Sequence, residues 1–273
     1  MLWGDEDKMN LEESIFEHVS DVHKWFDYDP GEELFHIYNQ NTLMALHKIQ
    51  DVYHTLCFAR MSLDSLSASD FGELIDNDEN GVGRATVQYM FMNNSISYYN
   101  YCIDLSWQVL WLYYNPKVNK YSVHSREDYI KSTKDCNLKE LEYPLSLAKQ
   151  EKLYDSVVEF FNRETTSRIR TKYNYIKHRG VYHIDGMGEN YKTSLISYNG
   201  RNLPLLYREE LDLQEMKSFL IEFDNSFVEY FDMIIAHVVP IDFRENKQIE
   251  INILDIYKYA EEYFSSLDNE EGK

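Results

Sequence analysis

The sequence predicts an all-α protein, a helical bundle carrying one small β-hairpin. Three observations point there. Only 10 Gly and 5 Pro among 273 residues leave too few chain breakers for a turn-rich all-β fold. Apolar residues recur every three to four positions along several long stretches, the period of an amphipathic helix. Asn199-Gly200 stands between two apolar, partly alternating runs, the signal of a two-residue type I′ hairpin turn. The 23 Tyr suit such a bundle, because each ring packs while its hydroxyl reaches a polar partner.

Taken in order, a first helix is expected over about 11–26, ending before Pro30-Gly31. A second covers about 42–66, with Leu46, Ile49, Tyr53, Leu56 and Leu63 at helical spacing. The acidic loop DNDENGVG (76–83) follows. The strongest core helix spans about 84–114, with Val87, Phe91, Tyr98, Tyr101, Leu105 and Leu112 as its stripe and Met90, Ile96, Val109 and Trp111 on other faces. Pro116 stops it, and 117–148 read as a looser connection. A long helix resumes over about 147–177, with Gly180 placed as its C′ residue. Pro204 confines its hairpin strand to an edge. Asp212 caps a helix built on Met216, Phe219, Leu220, Phe223, Phe227, Phe231 and Ile234, which runs to Pro240. Asn252 caps a last one, with Ile256, Ala260, Phe264 and Leu267 on one face. The expected organisation is an N-terminal helical extension (1–83), the main bundle (84–240) and a C-terminal helix with an acidic tail (241–273).

With 47 Asp+Glu against 27 Lys+Arg, the formal net charge is −20. A field of that sign repels polyanions at long range, so any nucleic acid must meet a local basic patch. Cys57, Cys102 and Cys136 are odd in number and form no CxxC pair, which argues against a disulfide framework or a cysteine zinc site. The N-terminal MLWGDEDKMN lacks an apolar signal core, and the longest charge-free run, 85–103, is too rich in Asn, Gln and Ser to span a bilayer. The expectation is a cytoplasmic chain with no membrane partner.

DNDENG (76–81) matches the first half of a calcium loop, with Asp76, Asp78, Asn80 and Gly81 in the first, third, fifth and sixth positions. The twelfth position, where a bidentate Glu belongs, holds Val87, so an interhelical turn is the better reading. His47, Asp51 and His54 share one helix face as a candidate metal ledge, but that face lies away from the apolar stripe and is expected to meet solvent. The sequence calls for no metal and no cofactor.

The segment from Arg163 to Arg201 differs from everything around it. It holds eight cations and three anions, net +5 inside a chain of −20. At about 100° per residue, Arg170, Asn174 and His178 stack on one face, with Lys172, Lys177 and Arg179 beside them. Cations in a last helical turn complement the macrodipole, but here they spread over three turns and into the hairpin. Lys192 and Arg201 of the hairpin are expected to lean toward His178. Metal-free RNA cleavage needs a base for the 2′-OH, an acid for the leaving oxygen and cations for the phosphorane, which is the set gathered here.

A long helix carrying YNYIKH (173–178), with Asn174 and His178 four apart and Arg179-Gly180 after them, resembles the HEPN superfamily of helical-bundle proteins. The likeness extends to NNSISYYNYCIDLSWQVLWLYY (93–114) as a long partner helix and covers about 84–240. Members include metal-independent ribonucleases of defence and toxin–antitoxin systems and their inactive relatives. Their signature is an Arg four to six residues before a His, often Arg-Asn-x-x-x-His. Tyr173 stands where that form has Arg; Lys172 offers a cation at permitted spacing, and Arg170 one a turn earlier. The resemblance implies an HEPN-like bundle, a homodimer and an RNA-binding or RNA-cleaving role. His178 would be the acid/base, Asn174 its orienter or a phosphate donor, and Arg170, Lys172, Lys177 and Arg179 the phosphate contacts. The alternative it implies is a non-catalytic HEPN module that binds a protein partner.

Overall fold

A computed structural model describes residues 11–31, 34–68, 70–72, 75, 81–114, 127, 130, 133, 134, 136–247, 254, 257, 258 and 261. Helix accounts for 69% of these residues and strand for 7%, so the chain is mostly helical with one small sheet. The helices are α1 (Gln40–Asp64), α2 (Val82–Tyr114), α3 (Glu142–Leu147), α4 (Glu151–Asn162), α5 (Glu164–Arg179), α6 (Glu189–Lys192), α7 (Leu213–Val238) and α8 (Phe243–Asn246). Strands β1 (Thr193–Tyr198) and β2 (Arg201–Tyr207) pair antiparallel. No helix among the described residues is long and apolar enough to cross a membrane. Residues 76–80 of the calcium-like loop lie outside the described residues, as do Asn252, Ile256, Ala260, Phe264 and Leu267 of the expected last helix.

The stripes expected on α1 and α7 are buried throughout. Asp212 caps α7, its carboxylate accepting from the backbone N–H groups of Gln214 and Glu215 at 2.9 Å each. Asn199 (φ 51) and Gly200 (φ 73) both occupy the left-handed region, as a type I′ turn requires.

Three expectations are corrected. The helix foreseen over 11–26 is two short 3₁₀ turns, Ile15–Glu17 and His23–Tyr28. Side chains from other elements capture the backbone groups that α-helical bonds would have used. Asp64 accepts from the Ile15 N–H, the buried Lys217 ammonium donates to the Leu11 and Glu13 carbonyls, and Asn225 bonds His18 and Ser20. The helix foreseen over 147–177 is α4 and α5, broken at Arg163 (φ −57, ψ 145). Phe160 and Ile169 are both fully buried, yet nine residues of continuous helix would turn them to opposite sides. The break lets both enter the core. On α2 the buried residues include Ala85, Tyr89, Met92, Ile96, Tyr99, Ile103 and Leu110; of the expected stripe Val87 and Leu112 are buried, whereas Phe91, Tyr98 and Leu105 are half-buried and Tyr101 is exposed. A helix apolar on most sides does not fix its own phase.

The chain forms two units. The first comprises Met1–Asp21, His54–Ile103 and Glu159–Tyr230. At its centre Asp224, fully buried, accepts from Arg60 Nε at 2.9 Å, Arg60 Nη2 at 2.6 Å and the Tyr99 hydroxyl at 2.8 Å. Around this node Tyr99 packs edge-on to Phe223, and Phe160 stacks flat on Tyr230 at 3.8 Å. The second unit comprises Val22–Tyr53, Asp104–Val158 and Phe231–Lys273. There Trp25 is buried against Phe231, donates to Asp232 through its indole N–H, and lends its carbonyl to Gln50. Burial pushes the Cys136 thiol up to about 12, so it stays protonated at neutral pH.

Asp224→Ala removes all three bonds and strands the Arg60 guanidinium in the core. The expected loss is about 3–5 kcal/mol in urea unfolding. A loss under about 1 kcal/mol, the scale of an exposed pair, would refute the central role given to this node.

Candidate nucleic-acid interface

Helix α5 is held by one face and bare on the other. Thr166, Ile169 and Tyr175 are its buried side chains. The Tyr175 hydroxyl accepts from the Glu209 N–H at 2.9 Å, and the ring stacks on Tyr182 at 4.1 Å. The Tyr182 N–H in turn donates to the Tyr89 hydroxyl of α2 at 3.1 Å. Gly180 (φ 101) ends the helix and turns the chain toward these contacts. Gly186 (φ 88) then passes so close to α2 that an added Cβ would lie 3.2 Å from the Ala85 Cβ. The loop after α5 therefore fixes both the rotation of the helix and the position of its end.

The opposite face presents Thr171, Asn174, Lys177 and His178, all exposed. Asn174 and His178 share this face one turn apart, and neither has a side-chain partner among the described residues. The flanking cations are more committed than their spacing suggests. The Arg170 guanidinium lies over the Phe161 ring, 4.2 Å from its centroid. The Lys172 ammonium sits 4.6 Å over Tyr182, half-buried, and burial lowers its pKa, with nearby Arg168 adding to the effect and Glu209 and Glu215 opposing it. Arg179 faces Glu209 at 3.7 Å and leans over Tyr175. Arg168 is paired with Glu215 and stacked on Phe219. Of the hairpin cations, Lys192 is paired with Glu210, and Arg201 stands exposed beside the turn. Lys177 alone of the four expected phosphate contacts stands exposed and makes no hydrogen bond, ion pair or ring contact among the described residues.

Tyr173 makes an edge-on ring contact with Tyr101 at 5.6 Å. The Tyr173 hydroxyl beside it is the main cause raising the Tyr101 pKa; burial adds to it and Lys177 opposes it. The contact continues a run of partly exposed rings, Phe58 to Tyr98 at 5.6 Å and Tyr98 to Tyr101 at 6.1 Å. Helical spacing alone assigned Tyr98 and Tyr101 to the core, so the sequence reading missed this run. A signal was available: the alternative stripe through Tyr89, Met92, Ile96 and Tyr99 leaves both tyrosines outward.

At the candidate metal ledge, His47 faces Asp29 at 3.6 Å and Asp51 pairs with Lys48 at 2.6 Å. No group of three His, Cys, Asp or Glu side chains that could hold a metal ion occurs among the described residues. No family model, curated protein or solved structure matches the chain.

Tyr173→Phe removes the hydroxyl that raises Tyr101, so Tyr101 should titrate at lower pH. Lys177→Gln removes the opposing charge and should move it higher. Tyrosine Cζ NMR titration reads both shifts, and a Tyr101 curve unmoved by Tyr173→Phe would exclude that influence.

Proposed function

We propose that this chain binds single-stranded RNA along the outer face of α5 and the adjoining aromatic run, with His178 as acid/base where the RNA is cut. The observation that carries this reading is the exposed pair Asn174 and His178, free among the described residues, beside Lys177 and the Tyr101–Tyr173 contact. Aromatic rings with exposed area give unpaired bases a stacking surface, and a cation beside them meets the backbone phosphates. Unpaired amide and imidazole groups can approach a phosphate or a 2′-OH without first breaking a protein contact.

In the cleavage step His178 takes the 2′-OH proton as the 2′-oxygen attacks phosphorus. The 5′-oxygen leaves with a proton from a general acid, and a 2′,3′-cyclic phosphate remains. The HEPN resemblance supplies the rest of the proposal: a homodimer in which two such faces meet, and a defence or toxin–antitoxin setting. A specific observation favours the non-catalytic alternative. Tyr173 packs edge-on against Tyr101, Lys172 is half-buried on Tyr182 and Arg179 faces Glu209, so the phosphorane would find few uncommitted cations.

Fluorescence anisotropy with a labelled single-stranded RNA should give affinity that falls with salt, at a log–log slope of about −2 for about three phosphate contacts. Lys177→Ala should flatten that slope by about 0.7. His178→Ala should lower the cleavage rate about 100-fold or more while most of the affinity remains, and EDTA should leave cleavage intact. Binding without cleavage in the wild type selects the non-catalytic reading. No binding at low salt removes RNA as the ligand.

A further inference from the structure

Three segments of this acidic chain hold no Asp or Glu: residues 54–63 of α1, 85–103 of α2, and 165–184 of α5 and the loop after it. An even spread of 47 acids over 273 residues would put one in about every six. The segments are remote in sequence, yet ring contacts join them within the first unit. Phe58 of α1 meets Tyr98 of α2 at 5.6 Å, and Tyr101 of α2 meets Tyr173 of α5 at 5.6 Å. The outward face of a helix ordinarily carries charged residues. Here the outward positions include Phe58 (51% exposed), Met61 (60%) and Tyr101 (41%), and Asn94 and Tyr98, on the same face of α2 as Tyr101, are half-buried.

The charges at the two ends of this surface differ. Asp64, the first carboxylate past Met61 on α1, is engaged by the Ile15 N–H and the Ser14 hydroxyl. At the α5 end stands Lys177, close enough to Tyr101 for its charge to act on that hydroxyl. Along the order Phe58, Tyr98, Tyr101, Tyr173, successive rings are turned by 47°, 84° and 77°. A base held between two rings needs about 7 Å, twice the roughly 3.4 Å repeat of stacked bases. Centroids 5.6 to 6.1 Å apart admit none. Bases can lie only on the outer side, at most one for each ring.

We infer that this carboxylate-free surface carries the RNA strand away from His178, across Tyr101 and Tyr98, to an end subsite at Phe58 and Met61. The inference rests on the RNA reading of α5 and adds to it a path, an end subsite and a footprint of about four nucleotides, one for each ring. Charge selects that occupant. A chain of net charge −20 repels a polyanion over most of its surface, and each phosphate gains where carboxylates are missing. An apolar protein face gains nothing from their absence. The chemistry of the rings sets the class of strand. Every base has a π face, so stacking tolerates any sequence, but only unpaired bases can present that face to a side chain.

Fluorescence anisotropy of the full chain with a labelled single-stranded RNA tests it, at about 0.05 M and about 0.3 M NaCl. Phe58→Leu keeps the side chain apolar and removes the ring. It should lower affinity about 10-fold, the loss of one stacked base, and leave the salt slope unchanged. Asn94→Glu puts a carboxylate on the path and serves if Phe58→Leu unfolds the chain. It should lower affinity about 10-fold at the lower salt and only about 2-fold at the higher, where screening is stronger. A duplex of the same sequence should bind about 10-fold more weakly than the single strand. Wild-type binding that weakens with Lys177→Ala but responds to neither Phe58→Leu nor Asn94→Glu keeps the α5 reading and overturns the path, including the case in which a protein partner covers these rings. A duplex bound as tightly as the single strand overturns the path as well. No binding by the wild type at the lower salt overturns both readings together.

Discussion

Asp224 carries a carboxylate with no access to water, and the first unit is organised around that fact. A buried carboxylate is tolerated only when its acceptor sites are filled, and here Arg60 fills two and Tyr99 a third. Those residues come from α1, α2 and α7, so one carboxylate sets the mutual register of three helices. A purely apolar core would allow each helix to slide or rotate with little penalty; a forked guanidinium–carboxylate pair does not. The phase of α2 follows. With Tyr99 turned inward to Asp224, Tyr98 and Tyr101 must face outward, and the aromatic run beside α5 exists because of it.

The same economy of partners shapes the candidate interface. A chain with 47 acids and 27 bases tends to pair its cations, and most of those around α5 are paired with Glu or laid over rings. Cation–ring contacts leave the charge in place while spending the ring face on it. The residual character of the outer face is therefore set by Asn174, Lys177 and His178 more than by the net +5 of the segment. Charge counting singled out this helix and overstated how much of its charge is uncommitted.

Much of the fold was legible. The α1 and α7 stripes, the Asp212 cap, the Gly180 helix end and the Asn199-Gly200 turn each follow from one local rule, and each rule acts through the chain's own neighbours. The failures have a common cause as well. The 11–26 segment is helical by propensity, but Asp64, Lys217 and Asn225 take its backbone groups. Those side chains stand 49 to 207 positions away in sequence, where no window of residues can weigh them. The break at Arg163 has neither Gly nor Pro to mark it, and only the opposed directions of Phe160 and Ile169 hint at it.

For the candidate site the division is similar. Sequence by itself determined that a cation-rich helix would end at Gly180 with Asn174 and His178 on one face, because helical spacing and a glycine stop are local properties. It also determined the hairpin, because two residues with positive φ suffice to fold one. Tertiary structure alone decided which cations are engaged, that the Tyr173 ring meets Tyr101, and that the hairpin stands uncovered. Each of these depends on distances between residues remote in the chain, and on competition among partners for the same charge or ring, which a linear pattern does not record.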